Sequence, residues 1–121
     1  YINGTGSLTQ VAGFDSRTIE NAKPIESALD KINKLKPITY NLKDSESKGI
    51  GFVAHELQEV ISEAVVGEKD QKKKDGTPFY QGVDITKVIP YLTKAVQELS
   101  EKDKLIEKLE ARLDELEKRI K

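Results

Sequence analysis

Residues 84–121 read DITKVIPYLTKAVQELSEKDKLIEKLEARLDELEKRIK, and the spacing of aliphatic side chains in this stretch decides the architecture. One series, Ile85, Leu92, Leu99, Ile106, Leu113 and Ile120, recurs every seven residues. A second, Val88, Ala95, Lys102, Leu109 and Leu116, follows it three residues later each time. Alternating steps of three and four are the a and d positions of a heptad, here held for about five repeats, and so narrow a seam is covered by another helix of the same kind. The competing reading, a helix folded back on its own domain, usually calls for a wider apolar stripe. The chain is therefore expected to act as an oligomer with these two series as its interface. The mixture of Ile and Leu leaves two strands and three equally open. Lys102, at a d position, weakens the seam and is expected to fix register. Arg112 at g and Glu117 at the following e would pair between parallel neighbours, while Asp114–Lys118, Glu115–Arg119 and Glu117–Lys121 support the helix itself at i,i+4. Asp84 suits the N-cap, and Pro90, lying a turn or more inside, predicts a kink or restart near Ile89.

Working back from Asp84, the turn signal Asp75-Gly76 lies inside a long loop, Gly67 to Thr77, that holds three consecutive lysines. Acidic Glu68, Asp70 and Asp75 offset that charge, so the loop reads as solvated rather than as an anion site. Ala64-Val65-Val66 and Phe79-Tyr80-Gln81 flank it as the strands of a hairpin. Gly49 to Ala54 reads as a short buried strand and His55 to Ser62 as a helix with Leu57, Val60 and Ile61 inward. Ile38 to Leu42 alternates like a half-buried strand. A helix is predicted from Pro24 to Lys36. Proline is tolerated in the first turn, Ile25, Ala28, Leu29, Ile32 and Leu35 make one stripe, and Pro37 ends it. Residues 1–18, with Gly4, Gly6 and Gly13, show no periodicity.

Length and composition bound the rest. A chain of 121 residues suits one small domain with an appendage. Hydrophobic residues make up 36% and charged residues 34%, a balance that implies a modest core attached to a solvated element. Oligomerisation is a common remedy for so small a core. The net charge of −1 gives no electrostatic case for nucleic acid or an anionic membrane as partner. With no cysteine and one histidine, neither a disulfide framework nor a thiolate or multi-histidine metal site can form. No metal and no cofactor are expected, and the absence of thiols fits a reducing compartment. No apolar run approaches the length of a membrane span. The opening Tyr1-Ile2-Asn3-Gly4, without an initiator methionine, reads as the end of an upstream domain, so the chain is expected to be part of something longer.

Catalytic motifs are few. Gly49-Ile50-Gly51 lacks a third glycine and is better read as close packing than as a phosphate cradle. His55 opens a helix with no obvious partner, which favours a partly exposed structural role over catalysis. Glu56 and Glu59 complement the dipole at a helix start. Phe52, Tyr80 and Tyr91 read as core.

Three phrases fit together: Asp15-Ser-Arg-Thr-Ile-Glu-Asn-Ala-Lys-Pro-Ile25, Leu35-Lys-Pro-Ile-Thr-Tyr-Asn41 and Gly51-Phe-Val-Ala-His-Glu-Leu-Gln-Glu-Val60. With Gly82-Val-Asp84 leading into the long helix, they resemble the C-terminal intramolecular chaperone domain of phage tail spikes, tail fibres and neck appendages. This is the S74 peptidase domain, also found in the myelin regulatory factor. The resemblance spans about residues 14 to 105. It implies a homotrimer that aligns three copies of a preceding β-rich fibre, acts in the host cytoplasm during virion assembly, and is then released by self-cleavage. Unreleased, it would stay on the virion appendage. A trimerising domain raises the effective concentration of the fibre ends before slow, non-local folding begins.

The family's cleavage motif, Ser-Asp-x-x-x-Lys with the cut before the serine, implies a serine nucleophile and a lysine base of depressed pKa. Alignment on Glu20-Asn21-x-Lys23-Pro24-Ile25 puts Phe14 at the serine and Ile19 at the lysine, with Asp15 matched. Neither replacement can attack or accept a proton. Two readings stay open: an inactive site, or cleavage through Ser16 with Asp15, Glu20 or Lys23 as helpers. A shift of two residues breaks the geometry that an attacking hydroxyl needs, which weighs against the second. The expected fold is α+β, a body of short strands and helices at 14–83 with a trimeric coiled-coil helix at 84–121. Residues 1–13 are expected to end the fibre or link to it.

Overall fold

Among the described residues, Leu57 and Ile61 are the largest side chains fully withdrawn from solvent, and the body is organised around them. The computed structural model describes residues 13–120. Helix α2 (Ala54–Val60) presents Leu57 inward. The chain then bends through a 3-10 helix, Ser62–Ala64, into β3 (Val65–Val66). β3 pairs antiparallel with β4 (Gly82–Val83), Val65 opposite Val83, and the Asp84 N–H donates to the Ala64 carbonyl at 2.7 Å. Ala64, Val65 and Val88 close the cluster, with Leu35, Phe52 and Tyr91 packed around it.

A second cluster holds Ala28, Leu29 and Ala95, bordered by Ile25 and Ile32, and Tyr91 touches both clusters. Its helix α1 (Leu29–Lys34) is shorter than the predicted 24–36. A helix starting at Pro24 would bond the Ala28 N–H to the Pro24 carbonyl. Instead that N–H donates to the Glu98 side chain, and helical bonding begins one residue later.

The expected strand at 38–42 forms as β1 (Ile38–Asn41), paired antiparallel with β2 (Lys48–Gly51), Ile38 opposite Gly51. β2 is not the buried strand expected: Ile50 is 81% exposed, because among the described residues no second layer covers the two-stranded ribbon. At Gly49, an added Cβ would lie 2.5 Å from the Tyr40 ring, so glycine is required by close cross-strand packing, as its sequence context implied.

The loop between β3 and β4 corrects a second expectation. Phe79-Tyr80-Gln81 is not a strand, and Tyr80 is exposed rather than core. Gly67 takes a left-handed φ of +87° and turns the chain away from the ladder as β3 ends. The loop then closes on itself, the Phe79 N–H donating to the Gln71 carbonyl at 2.8 Å. The Gln81 amide donates to the Gly67 carbonyl and to Gln58, so pairing resumes only at Gly82. Asp75-Gly76 forms the turn expected, with Asp75 accepting the Thr77 N–H and Gly76 left-handed.

Asp84 accepts the Thr86 N–H and caps a 3-10 helix, Ile85–Lys87. The α-helix restarts as α3 (Ile89–Ile120), 32 residues long, with Pro90 in its first turn, where a missing N–H removes no bond. The fold is α+β with a long C-terminal helix. No helix of the described residues is long and apolar enough to cross a membrane.

Candidate self-association surface

α3 has two halves with different surroundings. As far as Glu98, one face lies on the body through Tyr91, Ala95 and Glu98 itself, continuing from Val88 just before the helix. From Leu99 to Ile120 every residue is exposed. These 22 residues extend about 33 Å at a rise of about 1.5 Å each. Along them Ile106, Leu109, Leu113 and Leu116 form one stripe, each 51–56% exposed. Arg119 pairs with Glu115 at 2.9 Å as expected, while the expected Glu117–Lys121 pair involves a residue outside the described ones.

Two expected interface positions are corrected. Val88 and Ala95 are 5% and 2% exposed within their own chain, and so belong to its core. The set 88, 91, 95, 98 steps by three and four just as a coiled-coil seam does. A helix carrying such a set can lay it against its own body. Alanine at 95 lets α1 approach closely at Ala28. The fold-back reading thus holds for the first part of α3, and the remaining interface candidates, Ile85, Leu92, Leu99, Lys102, Ile106, Leu109, Leu113, Leu116 and Ile120, are exposed.

Polar contacts fasten the docked half. Glu98 Oε1 accepts the Ala28 N–H at 2.6 Å. The Tyr91 hydroxyl donates to Glu63, and the Lys31 ammonium lies 4.8 Å from the Tyr91 ring centre. The hydrogen bond from Tyr91 holds the Glu63 carboxyl below its ordinary range, and Glu63 in turn raises the Tyr91 hydroxyl. Sequence reasoning missed Glu98 and Glu63. A glutamate one residue before an a position reads as an ordinary flanking charge, and only the docked body reveals its partner.

The segment aligned with the cleavage motif is exposed from Gly13 to Pro24. Phe14 and Ile19 are 54% and 45% exposed. Asp15 caps a 3-10 helix, Ser16–Thr18, and its two carboxylate oxygens accept from the Arg17 backbone and guanidinium at 2.9–3.0 Å. Those bonds hold its carboxyl below the usual range and make it a weak base. Asp15 is therefore engaged by Arg17 rather than poised on Ser16. The expectation for residues 1–13 falls outside the described residues except for Gly13. His55 stands half-buried in the first turn of α2, lining an open groove with Phe79 and Tyr80, and Glu56 pairs with Lys36 at 3.7 Å.

The segment from the Asp15 cap through α1, the ribbon and α2 to β3 carries all three phrases that suggested a family. Residues 15–66 match the family model Peptidase_S74, the chaperone of endosialidase. The resemblance read from the sequence is thus shown over this segment; β4 and α3 lie beyond the matched residues. The chain is also 40% identical over 63 residues to the long tail fiber protein Gp37 of Enterobacteria phage K3, and equally to that of Enterobacteria phage T2. Each alignment takes in 48% of this chain and 5% of the relative, so the chain spans about one twentieth of these curated fibre proteins.

Proposed function

We propose that this chain is the intramolecular chaperone of a phage tail fibre or related appendage, associating as a homotrimer through α3 and setting the register of the fibre that precedes it. The observation that carries this reading is the ridge of α3 beyond Glu98, which no described residue covers. The S74 match and the tail-fibre relatives supply the fibre context. Eight exposed aliphatic side chains occupy a and d positions between Ile85, in the lead-in, and Ile120, at the end of α3. All but Ile120, which is 84% exposed, are about half exposed, so covering one gains roughly 1 kcal/mol, or about 8 kcal/mol per helix. That total lies within the roughly 4–15 kcal/mol that association costs. Assembly is therefore expected to depend on concentration, a property that suits a transient aid to folding.

In this reading residues 14–83 and the docked start of α3 form the chaperone body, the rest of α3 is the trimerisation element, and residues 1–13 lead from the fibre. The partners are two further copies and the fibre, in the host cytoplasm during assembly. The cleavage site is inactive, since Phe14 and Ile19 stand where the nucleophile and base belong and Asp15 is tied to Arg17. The domain then stays on the virion appendage.

Sedimentation equilibrium of the chain tests assembly: a trimer mass is expected, and a monomer at micromolar concentration removes the proposal. Mass spectrometry of a longer chain carrying the fibre tests cleavage. A single intact mass is expected, whereas a discrete cut near residue 13 or 15 identifies a working autoprotease. Persistence of that cut in Ser16→Ala excludes Ser16 as its nucleophile. Capture of a heterologous helix without self-assembly would instead identify a coiled-coil adaptor.

A further inference from the structure

The exposed aliphatic residues in the docked half of α3 and its lead-in are Ile85, Ile89, Leu92, Val96 and Leu99, each 48–57% exposed. They step by four, three, four and three, which is itself a heptad alternation. In the free half, Ile106, Leu109, Leu113, Leu116 and Ile120 step by three, four, three and four. The two stripes share one ridge, Leu92, Leu99, Ile106 and Leu113, but take their second ridge from opposite sides of it. Near the body the second ridge is Ile89 and Val96, because Val88 and Ala95 are covered by α1 and α2. Below the body it is Leu109 and Leu116.

We propose that copies of this chain meet in parallel along a stripe that changes register at Leu99–Lys102, with Ile89 and Val96 in the upper interface and Val88 and Ala95 outside it. The proposal rests on the self-association reading above and says which surface the copies share. Joined through Lys102, the steps from Val96 run three, three and four, the mark of a three-residue discontinuity, which overwinds a coiled coil locally. Moving the second ridge by one residue rotates the stripe about 50° on a helix of 3.6 residues per turn. The turn falls where it disrupts least: between Leu99 and Ile106 the seam position is Lys102, and the exposed Leu105 stands on the flank of the stripe rather than in it. In the upper register Lys102 moves from the centre of the seam to its edge, where its ammonium stays in water.

The occupant is a second copy because the free half of α3 is complementary to itself in one orientation. Asp103, Glu110 and Glu117 line one edge of the seam, and Leu105, Arg112 and Arg119 line the other, which is basic over its last two turns. Parallel copies set the acidic edge of one helix beside the basic edge of the next. Antiparallel copies would set acid against acid and base against base.

The chain has no cysteine, so single cysteines report contacts directly. In the full chain, Val96→Cys is expected to oxidise to a disulfide-linked dimer. Gln97→Cys, one residue along and off the stripe, should cross-link at most a tenth as much. Val96→Glu is expected to raise the midpoint concentration of association at least tenfold while the circular dichroism of the monomer is unchanged. If the parent chain assembles but Val96→Cys fails to cross-link and Val96→Glu assembles normally, the register change is wrong and the self-association reading survives. If the parent chain is monomeric, both fail.

Discussion

Glu98 Oε1 accepts the backbone N–H of Ala28 at 2.6 Å, which binds the last docked turn of α3 to the N-cap residue of α1. Ala28 is fully buried, so its N–H finds no water if the carboxylate is removed. Glu98→Ala is expected to cost about 1–3 kcal/mol, the penalty of an unmade bond between a buried amide and a charged acceptor. Glu98→Gln, which keeps an acceptor oxygen, should lose less. Urea unfolding of both variants measures the difference, and equal losses would contradict the assignment.

Tyr91→Phe keeps the ring between the two clusters and removes the hydroxyl that Glu63 accepts from. Glu63 is depressed in the folded chain, so its contribution is present above the ordinary glutamate value, near 4.5, and is lost as pH falls through the lower folded value. Tyr91 is raised, so its contribution is present below about 10 and is lost as pH climbs through the higher folded value. The variant should flatten the stability profile at both ends and leave neutral stability within about 1 kcal/mol of the parent. Thermal melts from pH 3 to 11 show whether either limb persists.

Ala95→Leu separates a core position from an interface position. A d-position leucine in a coiled coil strengthens assembly. Against Ala28 in this body the larger side chain is overpacked, and a loss of about 1–3 kcal/mol in fold stability is expected. A tighter oligomer with undiminished stability would return Ala95 to the interface.

Leu109→Ala with Leu116→Ala removes two ridge side chains that are 55% and 51% exposed in the single chain. Body stability should be unchanged, because neither residue touches it, while the trimer mass in sedimentation gives way to monomer. Reduced stability of an isolated monomer would mean that the ridge is already covered within the chain.

Leu57→Ala tests the body from its centre. Leu57 is 1% exposed, and cavities of this kind cost about 2–5 kcal/mol. In so small a core, loss of folded signal in circular dichroism is expected well below the parent melting temperature.

The features legible in the sequence are those written in local chemistry. Asp84 caps as expected because an acidic side chain beside a helix start reaches the free N–H groups of the first turn. Pro90 marks a restart for the same kind of reason, and Asp75-Gly76 turns because glycine takes the left-handed conformation without strain. The places where the reading missed all depend on distant partners. α1 begins at Leu29 rather than Pro24 because an acceptor 70 residues away claims the Ala28 N–H. β4 lies at Gly82–Val83 rather than at 79–81 because the Gln81 side chain is drawn to Gly67 and Gln58.

The sequence by itself determined that residues beyond Asp84 form a helix with a narrow apolar seam, and that Phe14 and Ile19, which carry neither a nucleophile nor a base, flank Asp15 to Thr18. Both are properties of order along the chain, and no folding is needed to read them. Only the tertiary structure decided which part of the seam is free. Val88 and Ala95 have the same spacing as Leu109 and Leu116, yet the first pair is buried on α1 and α2 and the second lies open. Periodicity says that a face must be covered; what covers it depends on which surface the folded chain brings within reach.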